Sequence, residues 1–475
     1  NGLYRSSDGG QTWTLRSSGA ALGDVRFDPQ NGNFAVASPM YSGGVVIYSQ
    51  DAGATWSNSN LNSPGRVELA YSRVAGILYA GVDFSSGQVY RSSNGGANWT
   101  LQSTPAHLGN QGWYDNTIWV DPVNTNHLIV GGIDLFRSTD SGVSWTQISE
   151  WWRIDEGSVH ADHHVIVSAP GYNGVTNRTV YFGNDGGIYR AQDIQAVTSS
   201  TTGWTKLNNG LAITQFYSGA GHTGTNGRVI GGTQDNGSLR WAGSGTNWSA
   251  FYGGDGGFSA VDPTDGNFIY GEYVYLRIHR STNGGVTGSV DIINGLTDAN
   301  NPSRANFIAP FALDPNNPNT MLGGGESLWR STNVKAATPT WTSIQGPTAG
   351  GGSNNFASQV TVAQGNSNLI WVGKNGGALF RSTNGTAATP TWTQMGAGVL
   401  PARVVLSILV DKDNNNLVYA GFGGYENNNL WRSTDGGSNW TNIGAGLPAS
   451  PVRTIQRHPT NAAFLYVGTE VGIFA

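Results

Sequence analysis

The chain has 475 residues, 25 Lys and Arg against 30 Asp and Glu, and a net charge of −5, which leaves no basic footprint for nucleic acid. It holds no cysteine, so disulfides, thiol chemistry and cysteine-based zinc sites are excluded, and no apolar run of about 18 residues offers a membrane-inserting helix. With 70 Gly, 17 Trp and only 12% charged residues it is not a disordered chain, and its Lys-poor, Ser/Thr/Asn/Gly-rich composition fits an exported protein, extracellular or at the cell surface.

Taken in chain order, the elements repeat. RSSDGGQTWT (5–14) opens the chain as a strand, a turn and a strand. VRFDPQNGNFAVA (25–37) follows as a second hairpin, apolar on both sides of a polar turn. The first element returns as YSQDAGATWS (48–57), RSSNGGANWT (91–100), RSTDSGVSWT (137–146) and RSTDGGSNWT (432–441). Two copies share an insertion, RSTNVKAATPTWT (330–342) and RSTNGTAATPTWT (381–393). The second element returns as IWVDPVNTNHLIVGG (118–132), FSAVDPTDGNFIYGE (258–272), FALDPNNPNTMLGG (311–324) and ILVDKDNNNLVYAG (408–421). The strands are rich in Val, Ile, Phe and Tyr, and the turns are built from Asp, Pro, Asn and Gly. No amphipathic helix is visible.

Two hairpins per unit of about 45 residues make four strands, the period of a propeller blade. The fold class predicted is therefore all-β: a β-propeller of four-stranded antiparallel blades, about ten in a single ring spanning 1–475, with two smaller propellers as the alternative. Strands A to D run from the channel outward. The chain opens with C and D and ends with A, B and a C-like strand, so the N- and C-terminal strands are expected to close the ring with one strand to spare.

The Ser-x-Asp-x-Gly-x-x-Trp element resembles the Asp-box, or bacterial neuraminidase repeat, of sialidases, family 74 glycoside hydrolases and sortilin-type receptors. That resemblance implies a propeller; sortilin-type domains form one ten-bladed ring. Asp8, Asp51, Asp140 and Asp435 in these copies read as turn residues, because Asn94, Asn333 and Asn384 replace them elsewhere. A turn tolerates that exchange and a catalytic acid does not.

The departures from the repeat cluster between residues 110 and 275. They are NQGWYDN (110–116), DEGSVHADHHV (155–165), GNDGGIY (183–189), TQFYSGAGH (214–222), GGTQDNGS (231–238), YGGDGGFS (252–259) and GEYVYLRIH (271–279). Each lies before an A strand or after a B strand, hence at one end of its blade, opposite the repeated turns. Function on a repeat scaffold sits on such loops. The face carries acids, amides and aromatics, which suit the apolar rings and hydroxyl rims of sugars. Candidate ligand-binding residues are Trp113, Tyr114, Asp115, Asp162, His163, Asp235 and Tyr252. In family 74 hydrolases the two catalytic Asp lie in strand-linking loops and are followed by x-Gly-Gly and an aromatic. GNDGG (Asp185) and GGDGG (Asp255) look similar, so the resemblance implies these two as a catalytic pair; that family places its pair on facing rings, whereas here the motifs fall in neighbouring units. Three of the 8 His crowd into SVHADHHV (158–165). On an extended strand His160, Asp162 and His164 would share a face, a candidate site for a divalent metal. The function expected is an exported propeller binding polysaccharide or glycan on its loop face, glycoside hydrolase-like if catalytic. The alternatives are a sortilin-like protein or peptide binder and a structural or adhesive surface protein.

Overall fold

Each apolar run pairs with the next across its Asp/Asn/Gly turn, and the product is a series of antiparallel meanders. The structure is a computed structural model that describes every residue except 1, 20, 75, 212, 213, 223, 225–227, 242, 244, 349 and 350. Among the described residues there are nine four-stranded sheets, one of two strands and one of three, and in each the strands follow chain order. The chain divides into two compact units, Asn1–Ile213 and Thr214–Ala475. The first holds the two-stranded sheet and the four-stranded sheets 22–63, 67–103, 117–147 and 163–206. The second holds the sheets 216–252, 259–291, 311–345, 357–395 and 405–442 and the three-stranded sheet 452–474. Within each unit, inner strands of successive sheets pack side by side, as Val67–Tyr71, Thr117–Val120 and His163–Ser168 do. These are propeller blades, and the all-β propeller class read from the repeat is what the chain adopts.

The sheet 117–147 shows the register. Thr117 faces Gly131 and Val120 faces Leu128, then Leu128 faces Ser138 and Phe136 faces Gln147. The second strand of a blade is covered on both faces. Leu78–Val82, Leu128–Gly131 and Val418–Phe422 are accordingly buried at every residue, which is why they read as unbroken apolar runs. The apolar clusters span neighbouring blades: Tyr79 and Val89 of one sheet join Ile118, Val120, Leu128 and Val130 of the next. Each such side chain contributes about 1.5–3 kcal/mol by leaving water.

The Ser-x-Asp turns are closed by their own side chains. In the copy at 48–57, Ser49 Oγ donates to Asp51 Oδ1 at 2.8 Å and accepts from the Gly53 amide at 2.9 Å. Asp51 Oδ1 accepts from the Thr55 amide at 2.8 Å. Asn94 Oδ1 accepts from the Asn98 amide at 2.9 Å in the same way. The hydroxyls of Thr12, Thr55 and Ser144 hold Asp8, Asp51 and Asp140 down to a pKa of about 2. Each turn is tied to the Asp–Pro-type turn of its own blade: Ala52 N–H bonds Asn33, Ser141 N–H bonds Asn126, and Gly436 N–H bonds Asn416. Both repeated turns therefore lie at one end of the blade, as the strand order predicts.

The arginines of three Arg-Ser-Thr copies tie their blades to the next. Arg280 donates to the carbonyls of Val334 and Ala336, Arg330 to those of Gly385 and Ala387, and Arg381 to that of Gly436. The repeat shows that this arginine recurs but not what it bonds.

Candidate functional site

In the first unit three loops meet at the end opposite the repeated turns. The loop entering Thr117–Val120 is wound tightly, with the Tyr114 and Asp115 amides both donating to the Gln111 carbonyl. That winding sends Trp113 outward, 55% exposed, and Asp115 inward, fully buried. The next blade's entry loop carries a 3₁₀ turn, Trp151–Glu156, closed by Gly157 at φ 104°. Trp151 and Trp152 are half-exposed and meet edge to face at 6.0 Å. Arg153 braces this turn through Glu150 and Glu156.

The expected uninterrupted strand through His160, Asp162 and His164 is not formed, and this corrects the sequence reading. The strand begins at His163, and Asp162 is left-handed at φ 63°. The Nδ1 of His160 lies 3.2 Å from the Ala161 carbonyl oxygen. His163 turns into the core with no exposure, and burial pushes its pKa down to about 3. A register shift between His163 and Val165 then leaves His164 outward. His160, Asp162 and His164 do not converge as a ligand trio among the described residues.

Asp185 sits on the Asn184–Gly187 turn. Asn184 donates to the His160 carbonyl at 3.0 Å and accepts from the Gly186 amide at 3.1 Å. Glycine is required after the aspartate, because a Cβ at 186 would stand 2.3 Å from that of His160 and Gly187 has φ 112°. Tyr114 donates to Asp185 Oδ2 at 2.7 Å, and His164 Nε2 lies 2.7 Å from Asp185 Oδ1. The Tyr114 ring meets His164 edge-on at 5.0 Å and Trp113 at 5.6 Å. Gln111 donates to Asp162 Oδ1 at 3.0 Å, and carboxylate oxygens of Asp162 and Asp185 approach within 4.8 Å. Burial, and then the Asp162 carboxylate beside it, raises the pKa of Asp115 well above the usual carboxylate range. Trp113, Tyr114, Asp115, Asp162, His163, His164 and Asp185 are thus one neighbourhood, with Asp115 and His163 beneath it and the others at its surface.

The second unit builds its own cluster. Asp235, left-handed at φ 57°, donates its backbone N–H to Asp255 Oδ1 at 3.0 Å. Tyr217 donates to Gln234 Oε1 at 3.0 Å. Beneath the Asp255 loop lies Glu272, fully buried. Its Oε1 accepts from the Leu276 and Ala309 amides at 3.2 Å each, and burial raises its pKa well above the usual range. A Cβ at 257 would stand 1.7 Å from Glu272 Oε2, so Asp255-Gly-Gly needs its second glycine. Tyr252 stacks on His279 at 3.9 Å and donates to Asp291, which also pairs with Arg277. Asp185 belongs to the first unit and Asp255 to the second. Gln111, His164 as a partner of Asp185, and Glu272 as a buried brace were not singled out from sequence; only the geometry reveals their roles.

Comparison with known proteins gives a distant setting. No family profile matches the chain. A xyloglucanase of a Paenibacillus species is 27% identical over 199 residues, 33% of this chain and 19% of that protein. The match thus spans about a fifth of the curated relative's length. Among solved structures, a GH74 enzyme of Niastella koreensis aligns over 100% of this chain and 78% of its own, at 19% identity and a TM-score of 0.39. PorZ, a surface component of the type-IX secretion system of Porphyromonas gingivalis, aligns over 97% and 69%, at 14% identity and a TM-score of 0.46.

Proposed function

We propose that this chain is an exported polysaccharide-binding propeller, and that the mouth of its first unit is the contact surface. One observation carries this reading: the exposed Trp113 ring adjoins Tyr114, whose hydroxyl holds Asp185. A sugar ring placed on the indole would have its hydroxyls beside a carboxylate whose lone pairs are oriented by two protein groups. Aromatic platforms supply apolar contact area, and oriented acceptors supply direction. Trp151 and Trp152, exposed on the next blade's entry loop, offer a second aromatic pair.

The partial match to a xyloglucanase favours a second reading, hydrolysis of a β-glucan, with Asp185 of the first unit and Asp255 of the second each tested as a separate candidate carboxylate. The two readings separate on one experiment. Wild-type, Asp185→Ala and Asp255→Ala proteins are incubated with plant and microbial polysaccharides, and both retention on the polymer and released reducing ends are measured. Retention without release supports a binder. Release that vanishes in either variant supports a hydrolase. Neither retention nor release on any polymer removes the glycan reading.

A further inference from the structure

The turn that carries Asp185 has a counterpart in the second unit. Gly183-Asn184-Asp185-Gly186-Gly187 links the second and third strands of its sheet, and Gly468-Thr469-Glu470-Val471-Gly472 links those of the sheet 452–474. The registers match. His163 faces Asn184 and Val452 faces Thr469, and in both pairs the register shifts at the next residue of the inner strand. His164 and Arg453 therefore hold equivalent positions, as do Asp185 and Glu470. The contacts match too. Arg453 pairs with Glu470 Oε1, as His164 meets Asp185 Oδ1. Tyr425, on a loop of the preceding blade, donates to Glu470 Oε2 at 2.6 Å, as Tyr114 does to Asp185 Oδ2 at 2.7 Å. The acid and the cation differ in residue type between the two turns, yet the relation among the three groups is the same.

In the second unit the tyrosine ring is itself the exposed surface. Tyr425 is 71% exposed, and its loop is braced from beneath. Arg403 donates to the Gly423 carbonyl at 2.9 Å, to Asn428 Oδ1 at 2.6 Å and to Asn429 Oδ1 at 2.7 Å. Asn429 donates to the carbonyls of Gly424 at 2.6 Å and Ser450 at 3.0 Å. An aromatic ring held out in solvent by its hydroxyl and by a braced loop has little freedom left to lose when a ligand covers it.

We propose that Tyr425, Glu470 and Arg453 form a second carbohydrate contact, on the second unit, for a neutral β-glucan segment. The ring supplies an apolar platform, and the carboxylate and guanidinium at its edge supply an acceptor and a donor for sugar hydroxyls. Arg453 offsets the charge of Glu470, and Glu426 is exposed on the same loop. The patch is therefore not cationic, which selects an uncharged polymer over an acidic one. This inference rests on the glycan reading of the first unit and adds a contact with residues of its own. It is the weaker of the two contacts, having one exposed ring where the first unit has Trp113 beside Tyr114.

Hydroxyl-radical footprinting read by mass spectrometry tests it, because it follows each side chain separately. The full chain is titrated with oligosaccharides cut from xyloglucan and other β-glucans, and oxidation is followed at Trp113 and Tyr425. Tyr425 oxidation should fall severalfold at saturation, with a midpoint at higher oligosaccharide concentration than that of Trp113. In Trp113→Ala the protection of Tyr425 should persist at the same midpoint. Glu470→Ala frees the tyrosine hydroxyl and should raise the Tyr425 midpoint about tenfold while leaving the Trp113 midpoint unchanged. Tyr425 oxidation that stays constant while Trp113 becomes protected overturns the second contact and leaves the first standing. A Tyr425 midpoint unmoved in Glu470→Ala also overturns it. Protection at neither residue overturns both readings.

Discussion

Tyr114 and Asp185 lie on loops of neighbouring blades, and the 2.7 Å hydrogen bond between them joins the entry loop of one blade to the strand-linking turn of the next. The tyrosine also stands between Trp113 and His164. A hydrogen bond to a charged acceptor is worth about 1.5–3 kcal/mol. We predict that Tyr114→Phe keeps the ring contacts, frees the carboxylate to turn, and weakens glycan binding by about tenfold, since about 1.4 kcal/mol is a factor of ten. Isothermal calorimetry beside a thermal melt checks this: affinity should fall, and the midpoint should fall with it by a few degrees at most, because the bond is also lost from the unbound protein. Unchanged affinity would remove Tyr114 from the site.

Arg330 donates to two carbonyls of the following blade, and its planar fork is what allows both bonds. Arg330→Lys offers a point donor instead. Loss of a charge-assisted bond to a half-buried carbonyl should cost about 1.5–3 kcal/mol in urea unfolding, and Arg330→Ala should cost at least as much. An Arg330→Lys protein as stable as wild type would show that the tie is incidental.

The repeated turns predict a mutational asymmetry. Asp51→Asn retains the Oδ1 acceptor for the Thr55 amide, as Asn94 does natively for Asn98. Asp51→Ala leaves that amide and the Ser49 hydroxyl without their acceptor. At neutral pH we expect the Asn variant to melt within a degree or so of wild type and the Ala variant to melt a few degrees lower. Because the folded pKa of Asp51 is lowered to about 2 from 3.8, its stabilisation is present above pH 3.8 and is lost as pH falls toward 2. The Asn variant should lack that component of acid lability.

How much of this was legible in the sequence follows from what each feature depends on. The blades were legible because a hairpin is set by its own turn: Asp51, Ser49 and Gly53 act within five residues. That a variant loop lies at the end of its own blade opposite the repeated turns was legible because antiparallel pairing fixes it. The orientation of SVHADHHV was not. An alternation rule needs a strand, and the left-handed Asp162 and the register shift after His163 place His163 inward and His164 outward. Nor was the contact of Tyr114 with Asp185, 71 positions away in sequence. That contact requires knowing how one blade's turn packs against its neighbour's loop, which no local pattern encodes.

Buried imidazoles set a pH limit of their own. His107, His163 and His279 are held down to a pKa of about 3 by burial, from an ordinary 6.5. Their folded pKa is below the unfolded one, so the unfolded chain binds more protons in between. Stability contributed by the neutral rings is full above pH 6.5 and is lost as pH falls from 6.5 through about 3. Asp134, raised to about 6 chiefly by burial, acts in the opposite sense, losing stability as pH rises from 3.8 to about 6. His279 is bonded to Ser238 and Ser289, and His279→Gln can keep a hydrogen bond while removing the titration. Melts across this range should show a shallower acid decline for that variant; parallel curves would contradict the assignment.

In the proposed function the first unit's mouth takes a sugar on Trp113. The direct measurement is calorimetric titration of wild-type and Trp113→Ala proteins with oligosaccharides cut from xyloglucan and other β-glucans. Trp113 is 55% exposed, so its removal should leave the melt unchanged. The wild type should bind at least one of these oligosaccharides and Trp113→Ala should bind it about tenfold more weakly, the loss expected for one aromatic platform. Equal binding by the two proteins, or no binding by the wild type, would contradict it.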